Sequence, residues 1–85
     1  MGMYGSVIGY NANQGLVLAE TDTGYYVIFE VAENFPVAAG DLLQGNMETR
    51  GWQMLFNKTR CRDLNVMVRT IFNSYRDACA ALDSP

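Results

Sequence analysis

The chain has 85 residues, 49% of them hydrophobic, with five Tyr, four Phe and one Trp, a composition that suits one globular domain rather than a disordered segment. A domain of this size buries only about 60–65% of its unfolded surface, so its core is small. The net charge of −3 and a pI of about 4.6 argue against general duplex binding, which depends on basic side chains neutralising phosphates, and leave only a local basic patch for any nucleic-acid role.

Residues 3–10 (MYGSVIGY) interleave aromatic and β-branched residues with glycine and predict a first strand. Asn11, Asn13 and Gly15 supply a turn, and residues 16–20 (LVLAE) a second strand. A further turn over Thr21–Gly24 leads into residues 25–31 (YYVIFEV), the strongest β segment. Asn34-Phe35-Pro36 cannot continue a ladder, and a short helical turn is expected near Ala32–Phe35. Residues 42–49 (LLQGNMET) predict a fourth strand with a bulge or bend at Gly45. Arg50-Gly51 closes a hairpin into a fifth strand over 52–57. Turn signals every 8–12 residues or so are the mark of a small barrel or sandwich, and closure removes exposed strand edges.

Beyond Gly51 glycine disappears. Leu64, Val68, Ile71, Tyr75, Ala78 and Leu82 recur at alternating steps of four and three, one face of an α-helix, with Asp63 as its cap. Val66-Met67-Val68 also reads as strand, with a helix starting near Thr70. Helix is expected over 71–82, and residues 63–70 are open to either reading. The fold class is therefore mainly β: one domain, a five-stranded antiparallel barrel over about 3–58, covered by a C-terminal helix within 63–82.

Charge is segregated. Residues 1–49 carry six acids and no base (−6), whereas 50–85 carry Arg50, Lys58, Arg60, Arg62, Arg69 and Arg76 against three acids (+3). Cys61 and Cys79 do not make a secreted disulfide framework, the N-terminus lacks the pattern of a signal peptide, and no apolar run is long enough to span a bilayer. A reducing, cytoplasmic setting without membrane attachment is expected.

The N-terminal half resembles the cold-shock family of oligonucleotide-binding (OB) barrels. Gly5-Ser-Val-Ile-Gly-Tyr-Asn-Ala-Asn-Gln-Gly15 is similar to the family's opening strand and first hairpin. Tyr25–Phe29 sits where the family has its second aromatic nucleic-acid motif, and Ala39-Gly40-Asp41-Leu42 is similar to the turn opening its fourth strand. The resemblance implies an OB-like barrel that binds single-stranded DNA or RNA. Gly9-Tyr10 stands in place of the family's Trp-Phe pair, and Gln14–Leu18 in place of its Lys-Gly-Phe-Gly-Phe stretch. Three stacking platforms are thus missing, each worth about 1–3 kcal/mol per base.

The chain has no histidine, no zinc-ligand spacing and no phosphate-binding glycine loop, so neither an enzyme nor a cofactor is expected. Glu30 and Glu33 read as solvated charges at a strand end rather than a catalytic pair. Asn57–Arg62 is the one anion-binding candidate: Lys58, Arg60 and Arg62 would grip phosphates, with Trp52, Tyr10, Tyr26 and Phe29 offering stacking surface. The competing reading has these bases balancing the acidic barrel, and Trp52 and Phe29 packing in the core. The expected function is a non-catalytic module binding single-stranded nucleic acid through Lys58, Arg60, Arg62, Trp52, Tyr10 and Tyr26. The alternative is a protein-interaction or homo-oligomerisation module.

Overall fold

The computed structural model describes residues 3–31 and 37–83. In chain order these form β1 (Tyr4–Asn11), β2 (Leu16–Thr21), β3 (Tyr26–Val31), β4 (Leu42–Gln44), β5 (Gly51–Asn57), β6 (Arg62–Phe72) and α1 (Tyr75–Asp83). The strands close into a barrel in the order β1-β2-β3-β6-β5-β4, with every neighbouring pair antiparallel. Two three-stranded meanders thus join through β3–β6 and β1–β4. The helical turn expected over Ala32–Phe35, and Glu33, lie outside the described residues.

The first three strands match their sequence signals to within a residue at each end. Their inward side chains, Val7, Val17, Ala19, Val27 and Phe29, meet Leu43, Leu55, Leu64, Val66 and Val68 from the second meander to fill the interior. The mainly β barrel with a C-terminal helix is as expected, but it closes with six strands instead of five. Residues 62–72 form β6, not the first turns of the helix, and Asp63 lies in that strand opposite Phe56 instead of capping α1. Leu64, Val66 and Val68 alternate inward, and β-branched residues favour the pleated surface. Ile28 then pairs with Thr70 while Phe29 pairs with Val68, so Arg69 is an extra, bulged residue. The bulge shifts the phase of the strand by one and turns Ile71 back toward the interior. The 4-3 spacing that mimics a helix comes from this shift. α1 begins only after Ser74, whose hydroxyl accepts a hydrogen bond from the Asp77 N–H at 3.4 Å.

The fourth strand is also shorter than its apolar pattern suggests, ending at Gln44 instead of 49. Gly45 adopts φ +138°, and a Cβ there would stand 2.8 Å from Leu55 Cδ2. Residues 46–50 leave the sheet, and Met47 inserts into the barrel as a plug against Gly5, where a Cβ would come within 2.9 Å of its sulfur. The Glu48 carboxylate accepts hydrogen bonds from the Thr21 hydroxyl at 2.8 Å and from the Thr23 hydroxyl, fastening the loop to the β2–β3 turn.

α1 lies across the outside of β1, β2 and β3 and the end of β6. Ala78 and Leu82 cover Leu18 and Ile28, with Ile8, Leu16 and Phe72 around them. Burying a side chain such as Leu82 contributes about 1.5–3 kcal/mol before entropy is subtracted. Asn11 Nδ2 donates to the Leu82 carbonyl at 3.0 Å, satisfying a helix-end acceptor that has no partner within the helix. The outward apolar residues of β2 and β3, Leu18 and Ile28, are thereby covered. No described helix is long and apolar enough to cross a membrane.

Candidate functional site

α1 contacts neither β4 nor β5, and the outer face of β5 is open. Pairing fixes its faces: Leu55 meets inward Leu64 and Gln53 meets inward Val66, so Trp52, Met54 and Phe56 point outward. Their exposures are 63%, 58% and 37%. The inward set is Gln53, Leu55 and Asn57, more polar than the outward one. Trp52, read from sequence as stacking surface and on the competing reading as core, is therefore the most exposed large hydrophobic residue described, while Phe29 is fully buried as the competing reading had it.

What holds β5 in this phase is visible at its end. Asn57 is buried, and its Nδ2 donates to Asp41 Oδ2 at 3.0 Å while its Oδ1 accepts from the Arg60 N–H at 3.1 Å. Asp41 Oδ2 also accepts from Arg60 Nε at 2.8 Å and from the Ala38 N–H at 3.1 Å. Burial pushes the Asp41 carboxyl up. The Arg60, Ala38 and Asn57 hydrogen bonds and the Arg60 charge outweigh that, holding it below the ordinary carboxylate range. A one-residue slip would bring Trp52, Met54 and Phe56 inward, but it would break this network.

The six sequence candidates do not form one site. Lys58 follows β5 on the same outward side as Trp52 and Phe56, and its ammonium lies 5.3 Å from the centre of the Tyr4 ring, a cation–π contact. Arg60 is committed to Asp41 and serves the fold, as the charge-balancing reading had it. Arg62 opens β6 opposite Asn57 and is exposed. Tyr10 is exposed at the end of β1, the barrel end that also carries the 58–61 turn. Tyr26 is elsewhere, packed edge-on against Tyr75 of α1 with ring centres 5.7 Å apart.

No protein-family model, curated protein or solved structure matches this chain. The site is therefore read from its own geometry. The strands on which the family resemblance would place stacked bases lie beneath α1, which buries Leu18 and Ile28 and shields Tyr26.

Around the outside of the barrel, from β2 through β1, β4 and β5 to β6, the register gives two rows of outward residues. One runs Glu20, Ser6, Leu42, and the next runs Tyr4, Gln44, Phe56, Asp63. A shallow cleft of about 190 Å³ lies along the first meander here, lined by Tyr4, Ser6, Glu20, Asp22 and Leu42 among others. Tyr4, Leu42, Met54 and Phe56 were not singled out from sequence. No alternation signal would have found Met54 and Phe56: with Trp52 they form the wholly apolar phase of β5, against Gln53, Leu55 and Asn57, and alternation alone would turn that phase inward.

Proposed function

We propose that the chain is a small, non-catalytic protein-interaction module that docks a partner on the outer face of β4 and β5. The observation that carries this reading is the orientation of β5, which presents Trp, Met and Phe outward while polar Gln53 and Asn57 face inward. Leu42 extends the exposed apolar surface onto β4, and α1 already seals the equivalent apolar residues on the far side. Contiguous exposed apolar surface on a small protein marks an interaction site, and interface energy concentrates in aromatic anchors such as Trp. Since the barrel is closed, the partner adds no strand to an edge and seats on side chains instead.

Selection of displayed peptides against the folded chain tests this. Selected peptides are expected to shift the emission of Trp52 to shorter wavelength, and Trp52→Ala is expected to weaken them about thirtyfold, as for an interface hot spot. Trp52→Ala should leave stability within about 0.5 kcal/mol, as for an exposed residue outside any network. Binders indifferent to Trp52→Ala, with unchanged emission, would remove the reading.

One observation favours single-stranded nucleic acid as a second ligand class. Trp52 and Phe56 share a strand face with Lys58, about 20 Å from first to last, and Lys58 already lies against an aromatic ring. Base stacking beside a phosphate-binding cation needs that arrangement. On this reading, oligonucleotides at low salt quench Trp52, and affinity falls as salt rises. Absence of quenching at low salt would dispose of it.

A further inference from the structure

We infer that α1 is a cover that opens and closes on the barrel as a separate unit, switching the chain between one exposed apolar face and two. The buried apolar side chains fall into two clusters with no member in common. Val17 and Phe29 belong to the one inside the barrel, with Leu55, Val66 and Val68. Leu18, Ile28, Ala78 and Leu82 make up the other, outside the barrel and under α1. Strands β2 and β3 stand between the two. Leu18 points out where its neighbours Val17 and Ala19 point in, and Ile28 points out between inward Val27 and Phe29. The six strands close on one another without α1. Lifting the helix therefore breaks no strand pairing and empties no part of the interior.

The attachment of α1 is slight for its length. Of its nine residues only Ala78 and Leu82 are buried, and alanine brings little apolar surface. Arg76, Asp77, Ala80 and Asp83 are exposed. At one end Tyr75 meets Tyr26 edge-on, and at the other Asn11 Nδ2 holds the Leu82 carbonyl at 3.0 Å. Neither contact belongs to the sheet. Asn73 and Ser74 alone join α1 to β6, and Asn73 is exposed, so the chain bends there without disturbing the strands. A free helix of this length is marginal in water, and α1 frays once lifted. The open form bares Leu18 and Ile28 on the β2–β3 side, while Trp52 and its neighbours on β5, out of reach of α1, are exposed in both forms.

Amide hydrogen exchange of the full chain, resolved by residue, tests the inference. In the wild type the amides of Cys79–Leu82 are expected to exchange about a hundredfold faster, or more, than those of Val66 and Val68, which only global unfolding exposes. Leu82→Ala is expected to speed both sets about thirtyfold and to leave their ratio unchanged, because both openings start from the closed form. Ala78→Asp places a charge in a site without water and holds α1 off. Its barrel is expected to stay folded, and the protection left at Val66 and Val68 should match the wild-type ratio within about threefold, since both measure the stability of the open form. Equal protection of α1 and β6 in the wild type overturns the inference, as does an α1 with no protection at all, which has no closed state. A barrel unfolded by Ala78→Asp, or protected to an extent unlike that ratio, overturns it as well.

Discussion

Phe29→Ala is expected to lower the free energy of unfolding by about 3–5 kcal/mol, the cost of emptying an aromatic site in a packed core. Phe29 is fully buried on β3, between Val17 of β2 and Val68 of β6. It therefore stands where the first meander meets the second, and the void left by alanine borders both. A domain of this kind has about 5–15 kcal/mol of stability in all, so the loss removes a large share of it. Urea unfolding followed by far-ultraviolet circular dichroism is the measurement, since Trp52 is too exposed for its emission to report on the interior. A loss below about 1 kcal/mol would contradict a barrel packed around this ring.

Asp41→Ala is expected to cost about 2–4 kcal/mol, because it strips the shared acceptor from a buried amide and a partly buried guanidinium. Asp41 is only 3% exposed, and one oxygen holds Ala38, Asn57 and Arg60 together. The Arg60 side chain is 37% exposed, so solvent screens part of the ion pair and the upper end of that range is not expected. The sign of the pH effect follows from the lowered folded-state value. The stabilisation is complete above the unfolded carboxyl value, about pH 4, and disappears as pH falls through the lower folded value. Asp41→Asn should therefore be less stable than wild type at neutral pH, with the gap narrowing in acid. Curves that stay parallel on acidification would show that the carboxylate charge at position 41 contributes nothing.

The parts of the fold legible from sequence were the short strands set off by clear turn signals. β1, β2 and β3 are separated by the Asn11–Gly15 and Thr21–Gly24 turns and are rich in β-branched, aliphatic and aromatic residues. Legibility failed where a local irregularity imitates another period. The bulge at Arg69 turns a strand's step of two into a step of three between Val68 and Ile71, which imitates a helix. Met47 looks like a strand residue because it is apolar and buried, yet it belongs to a loop that folds back inside. Site legibility depended on β5, whose apolar phase (Trp52, Met54, Phe56) alternation would turn inward but whose direction accompanies the tertiary hydrogen bonds at Asp41 and Asn57. Lys58 and Trp52 were identified from the sequence, whereas the Tyr4–Leu42–Phe56 surroundings emerged only once strand pairing brought them together.

β6 is the longest described strand and the last, and its two edges join β3 and β5. On the ribosome, neither meander can acquire this shared neighbour until the chain as far as Phe72 has emerged. Uniting Tyr26 with Phe72 encloses a long loop, and the entropy of that enclosure is met before its contacts form. Completion of the circumference is accordingly a late event in synthesis. A nascent chain halted before Leu64 carries two unsatisfied strand margins, each a template for aggregation that the finished ring no longer offers.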